Sequence, residues 1–206
     1  MLKLWGRVNS INVQKVLWAL AELDVPYERV DAGLAFGVVN EPYYRKMNPN
    51  GRVPTIEDDG LVLWESNAIV RYLSAKHGAG SLWPDELRLR ADADRWMDWT
   101  ATTLGPAMTP VFWGLVRTPP EKRDAATIAA GIEQCAKALQ LFDGCLAGRQ
   151  YVAGKAFTMG DIPVGTFVHR WYALPVEHLR LANVETYYER LKQRPAYAKH
   201  VARPLS

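Results

Sequence analysis

The sequence predicts an α+β domain followed by an all-helical one, and three observations carry that expectation. Residues 1–77 alternate short strand signals with helical stretches. A glycine-rich break, His77-Gly78-Ala79-Gly80-Ser81, then interrupts the chain, with Pro84 just beyond it. After the break strand signals nearly vanish, and residues 87–104, 120–147, 158–172 and 184–192 read as helices. The expected division is therefore 1–77, a linker at 78–85, and a helical domain at 86–206.

Leu2-Lys3-Leu4-Trp5 alternates in polarity as a half-buried strand does, and Gly6 to Ser10 is a loop. Val13, Val16, Leu17 and Leu20 recur at helical spacing, so a helix follows. Tyr27-Glu28-Arg29-Val30 supplies a second strand, and a loosely helical segment surrounds residues 41–47. Residues 48–73, NPNGRVPTIEDDGLVLWESNAIVRYL, constrain the rest most strongly. Pro54-Thr55-Ile56-Glu57 and Leu61-Val62-Leu63-Trp64 flank the hairpin chemistry of Asp58-Asp59-Gly60, and Ser66 opens a helix whose apolar face holds Ile69, Tyr72 and Leu73. The order β-α-β-α-β-β-α is that of a thioredoxin-like domain, with a right-handed parallel crossover followed by an antiparallel pair.

Two corners of that stretch carry chemistry. Proline is tolerated where Val53-Pro54 opens a strand, and a cis bond there would leave the Val53 amide and carbonyl free for an extended peptide. At Glu65-Ser66 a helix begins, so amides and a hydroxyl can hold a carboxylate while the Glu65 side chain holds an ammonium. One anchor suits a peptide backbone and the other an amino-acid head group, which together would fit a small peptide such as glutathione. The run Gly51, Arg52, Val53, Pro54, Glu65, Ser66 resembles the glutathione-binding half of the cytosolic glutathione transferases, and more loosely so does the whole chain.

That resemblance implies an enzyme that holds the glutathione thiol as thiolate and delivers it to a small apolar electrophile. A free thiol has a pKa of about 8.5, and lowering it by about two units corresponds to roughly 2.7 kcal/mol. Ser10, between the first strand and first helix, resembles the catalytic serine of theta- and phi-like bacterial relatives. No tyrosine stands at that strand, where position 5 is Trp5. Asn12 is the rival donor to the sulfur, and the ordinary alternative for Ser10 is a helix cap. Phi-like relatives hold the glycine carboxylate with basic or imidazole groups near positions that are Val39 and Asn40 here, so Arg52 is the substitute cation. The apolar loop Gly33-Leu34-Ala35-Phe36-Gly37 reads as a flap or a buried turn. Phe36, Phe112, Trp113 and Trp171 are the candidates for an electrophile cleft, in which Thr109 to Trp113 is expected to interrupt regular helix. The resemblance also implies a homodimer, to which large side chains in residues 64–73 and 90–99 would contribute.

Composition sets limits on other functions. The chain has 206 residues, a formal net charge of +3 and dispersed Lys and Arg, which disfavours nucleic acid but leaves an anionic ligand welcome. No apolar run approaches a membrane span and no signal peptide is evident, so the expected compartment is the cytoplasm. Cys135 and Cys145 are too few for a disulfide framework or a metal knuckle, and Cys135 falls on the buried stripe of a helix. No metal or cofactor is expected beyond glutathione as co-substrate. The other readings of this fold are a non-catalytic interaction module and a glutathione-dependent dehalogenase, lyase or peroxidase.

Overall fold

The computed structural model describes all 206 residues. Its first part runs β1 (Leu2–Trp5), α1 (Ile11–Glu22), β2 (Tyr27–Val30), α2 (Pro42–Met47), β3 (Thr55–Asp58), β4 (Leu61–Trp64) and α3 (Ser66–His77). The sheet order is β2-β1-β3-β4, with β1 parallel to β2 and β3 antiparallel to both β1 and β4. Asp59 (φ 50°) and Gly60 (φ 85°) close the β3–β4 hairpin with two left-handed residues, as a tight two-residue turn requires. Alternation decides the layers. Leu4 and Ile56 face the helices α1 and α3, where Val13, Leu17, Ile69 and Leu73 are fully or almost fully buried, while Trp5 turns to the opposite face with Ala32 and Tyr44 of α2.

The remaining chain is helical, as the sequence predicts. It comprises α4 (Leu87–Trp99), α5 (Gly105–Phe112), α6 (Ala125–Cys145), α7 (Asp161–Ala173), α8 (Ala182–Lys192) and α9 (Pro195–His200). Two wide π turns, Thr100–Leu104 and Trp113–Arg117, flank α5. In the stretch Thr109 to Trp113, where an interruption of regular helix is expected, α5 carries Pro110 and runs to Phe112, and regular α-helix gives way to the π turn at Trp113. The short α9 was not foreseen, because six residues are too few to show a period.

Every residue from Asp161 to Trp171 is buried, so α7 is the axis of the helical part. One core of 41 buried residues runs from β1 through α1 into α7 and α8. Trp18 of α1 meets Tyr197 edge-on at 4.7 Å, and Arg194 forks onto the Glu22 carboxylate at 2.8 and 2.6 Å. At the start of α7 the sequence Thr158-Met159-Gly160-Asp161 has the form of a capping box, and half of it is made. The Asp161 carboxylate accepts the Thr158 amide (2.8 Å), but also the Val152 amide (2.9 Å) and the Tyr187 hydroxyl (3.1 Å). The Thr158 hydroxyl satisfies no amide; it donates to the same carboxylate at 3.3 Å.

Candidate active site

Where the loop after β1 meets α5 and α7, a cavity of about 560 Å³ opens between the sheet-bearing and helical parts. Its sheet-side wall is made by Ser10, Asn12, Gly33, Arg52 and Val53, and its helical wall by Thr109, Phe112, Trp113, Arg117 and Arg170. The β1–α1 loop is pinned by its backbone, since Gly6 and Arg7 donate to Val30 and Ala32 and Ser10 donates to the Arg7 carbonyl. Ser10 stands at the N-cap of α1, yet its hydroxyl makes no capping bond. It is 8% exposed and turned to the cavity. A plain cap would have spent that hydroxyl on a first-turn amide.

The Val53–Pro54 peptide is cis. The carbonyl before it, that of Arg52, accepts the Tyr44 hydroxyl (2.7 Å) and the Asn48 amide (2.9 Å), whereas the amide and carbonyl of Val53 itself take part in no hydrogen bond of the protein. An unpaired strand-like peptide at a cavity wall is the template for one added strand of ligand. At the next corner Glu65 is held at φ 71°, a region costly for a residue with a Cβ, and it gives α3 no side-chain cap. The first-turn amides of α3 are left open for an anion.

Beneath that corner lies Lys15, 4% exposed. Its Nζ donates to Asn12 Oδ1 at 3.0 Å, lies 3.5 Å from both Ser66 Oγ and Asn67 Oδ1, and sits 5.2 Å from the Phe167 ring. The Ser66 hydroxyl in turn donates to Asn12 Oδ1 at 3.3 Å. Burial, then the Arg170 charge, push the Lys15 ammonium down to about 7, against the opposing pull of the Glu65 carboxylate. Asn12 therefore links two regions, since it lines the cavity while its carbonyl oxygen belongs to the Lys15–Ser66 network.

Residues 1–75 match the family described as "Glutathione S-transferase, N-terminal domain", and residues 125–203 match "Glutathione S-transferase, C-terminal domain". The glutathione S-transferase GstB of Escherichia coli (strain K12) is 44% identical over 208 residues, covering 100% of both chains. The chain belongs to the glutathione transferase family. A theta class transferase from the citrus canker pathogen Xanthomonas axonopodis pv. citri, solved with glutathione bound, superposes with a TM-score of 0.96 at 46% identity, covering 100% of this chain and 99% of that one. Glutathione S-transferase F13 of Arabidopsis thaliana is 30% identical across 96% of this chain and 94% of its own.

In this transferase the sequence-predicted residues separate into three groups. Ser10, Asn12, Arg52, Val53, Phe112 and Trp113 share the cavity. Pro54, Glu65 and Ser66 do not line it; of these only Ser66 is joined to it, through its bond to Asn12. Two expectations fail: Trp171 is 1% exposed, packed in the core against His178, and Phe36 is 53% exposed on an outward 3-10 turn, so neither lines the cleft. The loop at 33–37 is accordingly an exposed turn rather than a buried one, with Gly33 and Leu34 its contribution to the cavity. Asn40 is engaged by Arg45 at 2.9 Å, whereas Arg52 makes no ion pair within the protein. Cys135 is fully buried and burial pushes its thiol up to about 12, leaving it inert.

Sequence reasoning missed Lys15, Arg7, Arg117 and Arg170. A signal existed for two of them: Lys15 is the lone cation of α1, INVQKVLWALAE, and Arg170 interrupts the buried run Thr166-Phe167-Val168-His169-Arg170-Trp171. A charge inside an otherwise apolar helix is expensive unless something meets it.

Proposed function

We propose that this transferase lays the cysteinyl backbone of glutathione along Val53, as an added strand, with the γ-glutamyl end at Glu65 and Ser66. There the open amides of α3 and the Lys15 ammonium face its carboxylate, and the Glu65 carboxylate faces its ammonium. Arg52 is the cation for the glycine carboxylate. The thiol then falls at Ser10, whose hydroxyl donates to the sulfur and favours the thiolate, with the N-terminus of α1 and the Asn12 amide as further support. Holding the thiolate at neutral pH needs only a few kcal/mol, within reach of one charge-assisted hydrogen bond and a helix end. The electrophile packs its apolar body on Phe112 and Trp113 and takes the sulfur at an electron-poor carbon.

A single observation carries this reading: a helix-capping serine that withholds its hydroxyl from the helix opens on the same cavity as a strand-like peptide with both polar groups unpaired. Residues 1–77 then form the glutathione-binding domain, 78–85 the linker and 86–206 the electrophile-binding domain. A homodimer is part of the proposal, supported by β4, whose outer edge is free and whose Leu61 and Val62 are exposed. Titration with glutathione, followed by turnover of a panel of aryl halides, epoxides and peroxides, tests the function. Binding with turnover of at least one class is expected. Binding without turnover would make the chain an interaction module, and failure to bind would refute the reading.

A further inference from the structure

The cavity that receives the thiolate is lined by four arginines and by no aspartate or glutamate. Three of them, Arg7, Arg117 and Arg170, are neighbours in the cavity wall, two of them against Phe112. The Arg170 guanidinium stacks at 3.8 Å over the Phe112 ring and that of Arg117 lies 5.5 Å from it. Arg7 reaches the same space because residue 33 is a glycine at φ 87°; a Cβ there would stand 2.9 Å from Arg7 Nη1. The side chains of Arg7 and Arg170 make no hydrogen bond or ion pair in the protein, and Arg117 gives only one bond, from Nη2 to the Ser206 main-chain oxygen. The Nε atoms of Arg7 and Arg117 are buried without a partner.

Elsewhere the molecule treats its half-buried arginines differently. Arg29, Arg71, Arg149 and Arg194 are each paired with a carboxylate. Three guanidiniums placed together repel, and only Arg117 is met by an oxygen of the protein, that of the final residue Ser206. Arg170 is buried and Arg7 and Arg117 are half-buried; burial and then its two arginine neighbours hold Arg170 down to about 9, and burial and Arg117 lower Arg7. Such an arrangement persists where an anion completes it. The two carboxylates of glutathione are already provided for, at Ser66 with Lys15 and at Arg52, in the reading on which this inference rests.

We propose that the electrophile itself is anionic: an arene or similar flat apolar body carrying a carboxylate, with the carboxylate held by Arg7, Arg117 and Arg170 and the ring against Phe112 and Trp113. The carboxylate would then fix which ring carbon faces Ser10 and the sulfur. For an aryl halide the step balances without any further reactant. The thiol proton goes to solvent as the thiolate forms; the sulfur lone pair makes the carbon–sulfur bond at the carbon bearing halogen; the ring holds the displaced pair as an anionic adduct; and the halide leaves with the pair of the broken carbon–halogen bond.

The test is a matched pair of substrates, a chloronitrobenzoate with chloride para to the carboxylate and nitro beside the chloride, and its neutral benzamide. Each kcat/KM, at saturating glutathione, is divided by the uncatalysed rate. Wild type is expected to prefer the benzoate by at least about tenfold, and Arg117→Met and Arg7→Met each to reduce that ratio by about tenfold. A ratio is independent of how much of a variant folds. A wild-type ratio near one, or a ratio unmoved in both variants, overturns the proposal. So does a rise in the glutathione KM that accounts for the whole loss, because the guanidiniums would then serve glutathione. Absence of any glutathione-dependent change in tryptophan fluorescence of wild type would overturn the parent reading and this one with it, and is distinguished from a missing preference by that signal.

Discussion

Lys15→Met should make the protein more stable and bind glutathione less well. The ammonium is fully enclosed and meets three neutral oxygens but no carboxylate within hydrogen-bond distance. Its fall from 10.5 to about 7 corresponds, at about 1.4 kcal/mol per unit, to about 5 kcal/mol of cost for carrying the charge in the folded state. The Phe167 face and relaxation of the pocket reduce that, so about 2–4 kcal/mol is the expected gain on replacing the head group with a thioether of similar length. The sign follows from proton counting. Between about pH 7 and 10.5 the unfolded chain holds the Lys15 proton and the folded chain does not, so wild-type stability rises with pH across that window on account of this group. The variant lacks that rise, and its advantage, full below pH 7, should shrink toward zero near pH 10.5. Urea denaturation at a series of pH values measures it. Calorimetry with S-methylglutathione, whose blocked thiol cannot titrate, should show affinity about 10–100-fold weaker in the variant near pH 6. A variant equally stable at every pH, or one that binds the ligand as well as wild type, would refute the assignment of Lys15 as a cation awaiting the γ-glutamyl carboxylate.

Other outcomes follow from the same geometry. Glu65→Ala should raise the KM for glutathione strongly with a smaller effect on kcat, measured by steady-state kinetics, because the head-group contact exists in ground and transition states alike. Asp161→Ala should cost more stability than Thr158→Ala, several kcal/mol against about 0.5–2, since it orphans two buried amides and the Tyr187 hydroxyl; equal thermal midpoints would contradict this. Burial pushes the Asp161 carboxyl up to about 6, so between about pH 4 and 6 its contribution to stability falls as pH rises, and Asp161→Asn should remove that slope from the denaturation profile. Sedimentation should give about twice the 23.2 kDa chain mass at micromolar concentration, and the monomer mass would rule out the dimer.

The sheet-bearing part was legible because its signals are local. Alternation in Leu2 to Trp5, the Asp59-Gly60 turn and the Val53-Pro54 corner each specify geometry within a few residues, and all three stand in the fold as read. The helical part was legible in kind but not in detail. The stretch Thr109 to Trp113 is expected to interrupt regular helix, yet α5 carries Pro110 as far as Phe112 between two π turns that no sequence period announces. The same limit governs the site. Ser10 and Val53 could be found because each belongs to one loop, whereas the assembly of Arg7, Arg117 and Arg170 joins three segments far apart in sequence. Trp171 is a sequence candidate for the cleft, but a large aromatic on the most buried helix is core first.

The claim on which everything else depends is that Ser10 and its surroundings hold the sulfur of bound glutathione as thiolate. Ultraviolet absorbance of the thiolate, titrated against pH for the glutathione complex of wild type and of Ser10→Ala, measures that directly, with Asn12→Ala as the comparison. Wild type should show a thiol pKa well below the ordinary value of about 8.5, and Ser10→Ala should return it most of the way while glutathione affinity changes little. A bound thiol that titrates at its ordinary value in wild type, or a depressed value that survives in Ser10→Ala and is lost in Asn12→Ala, would contradict the account.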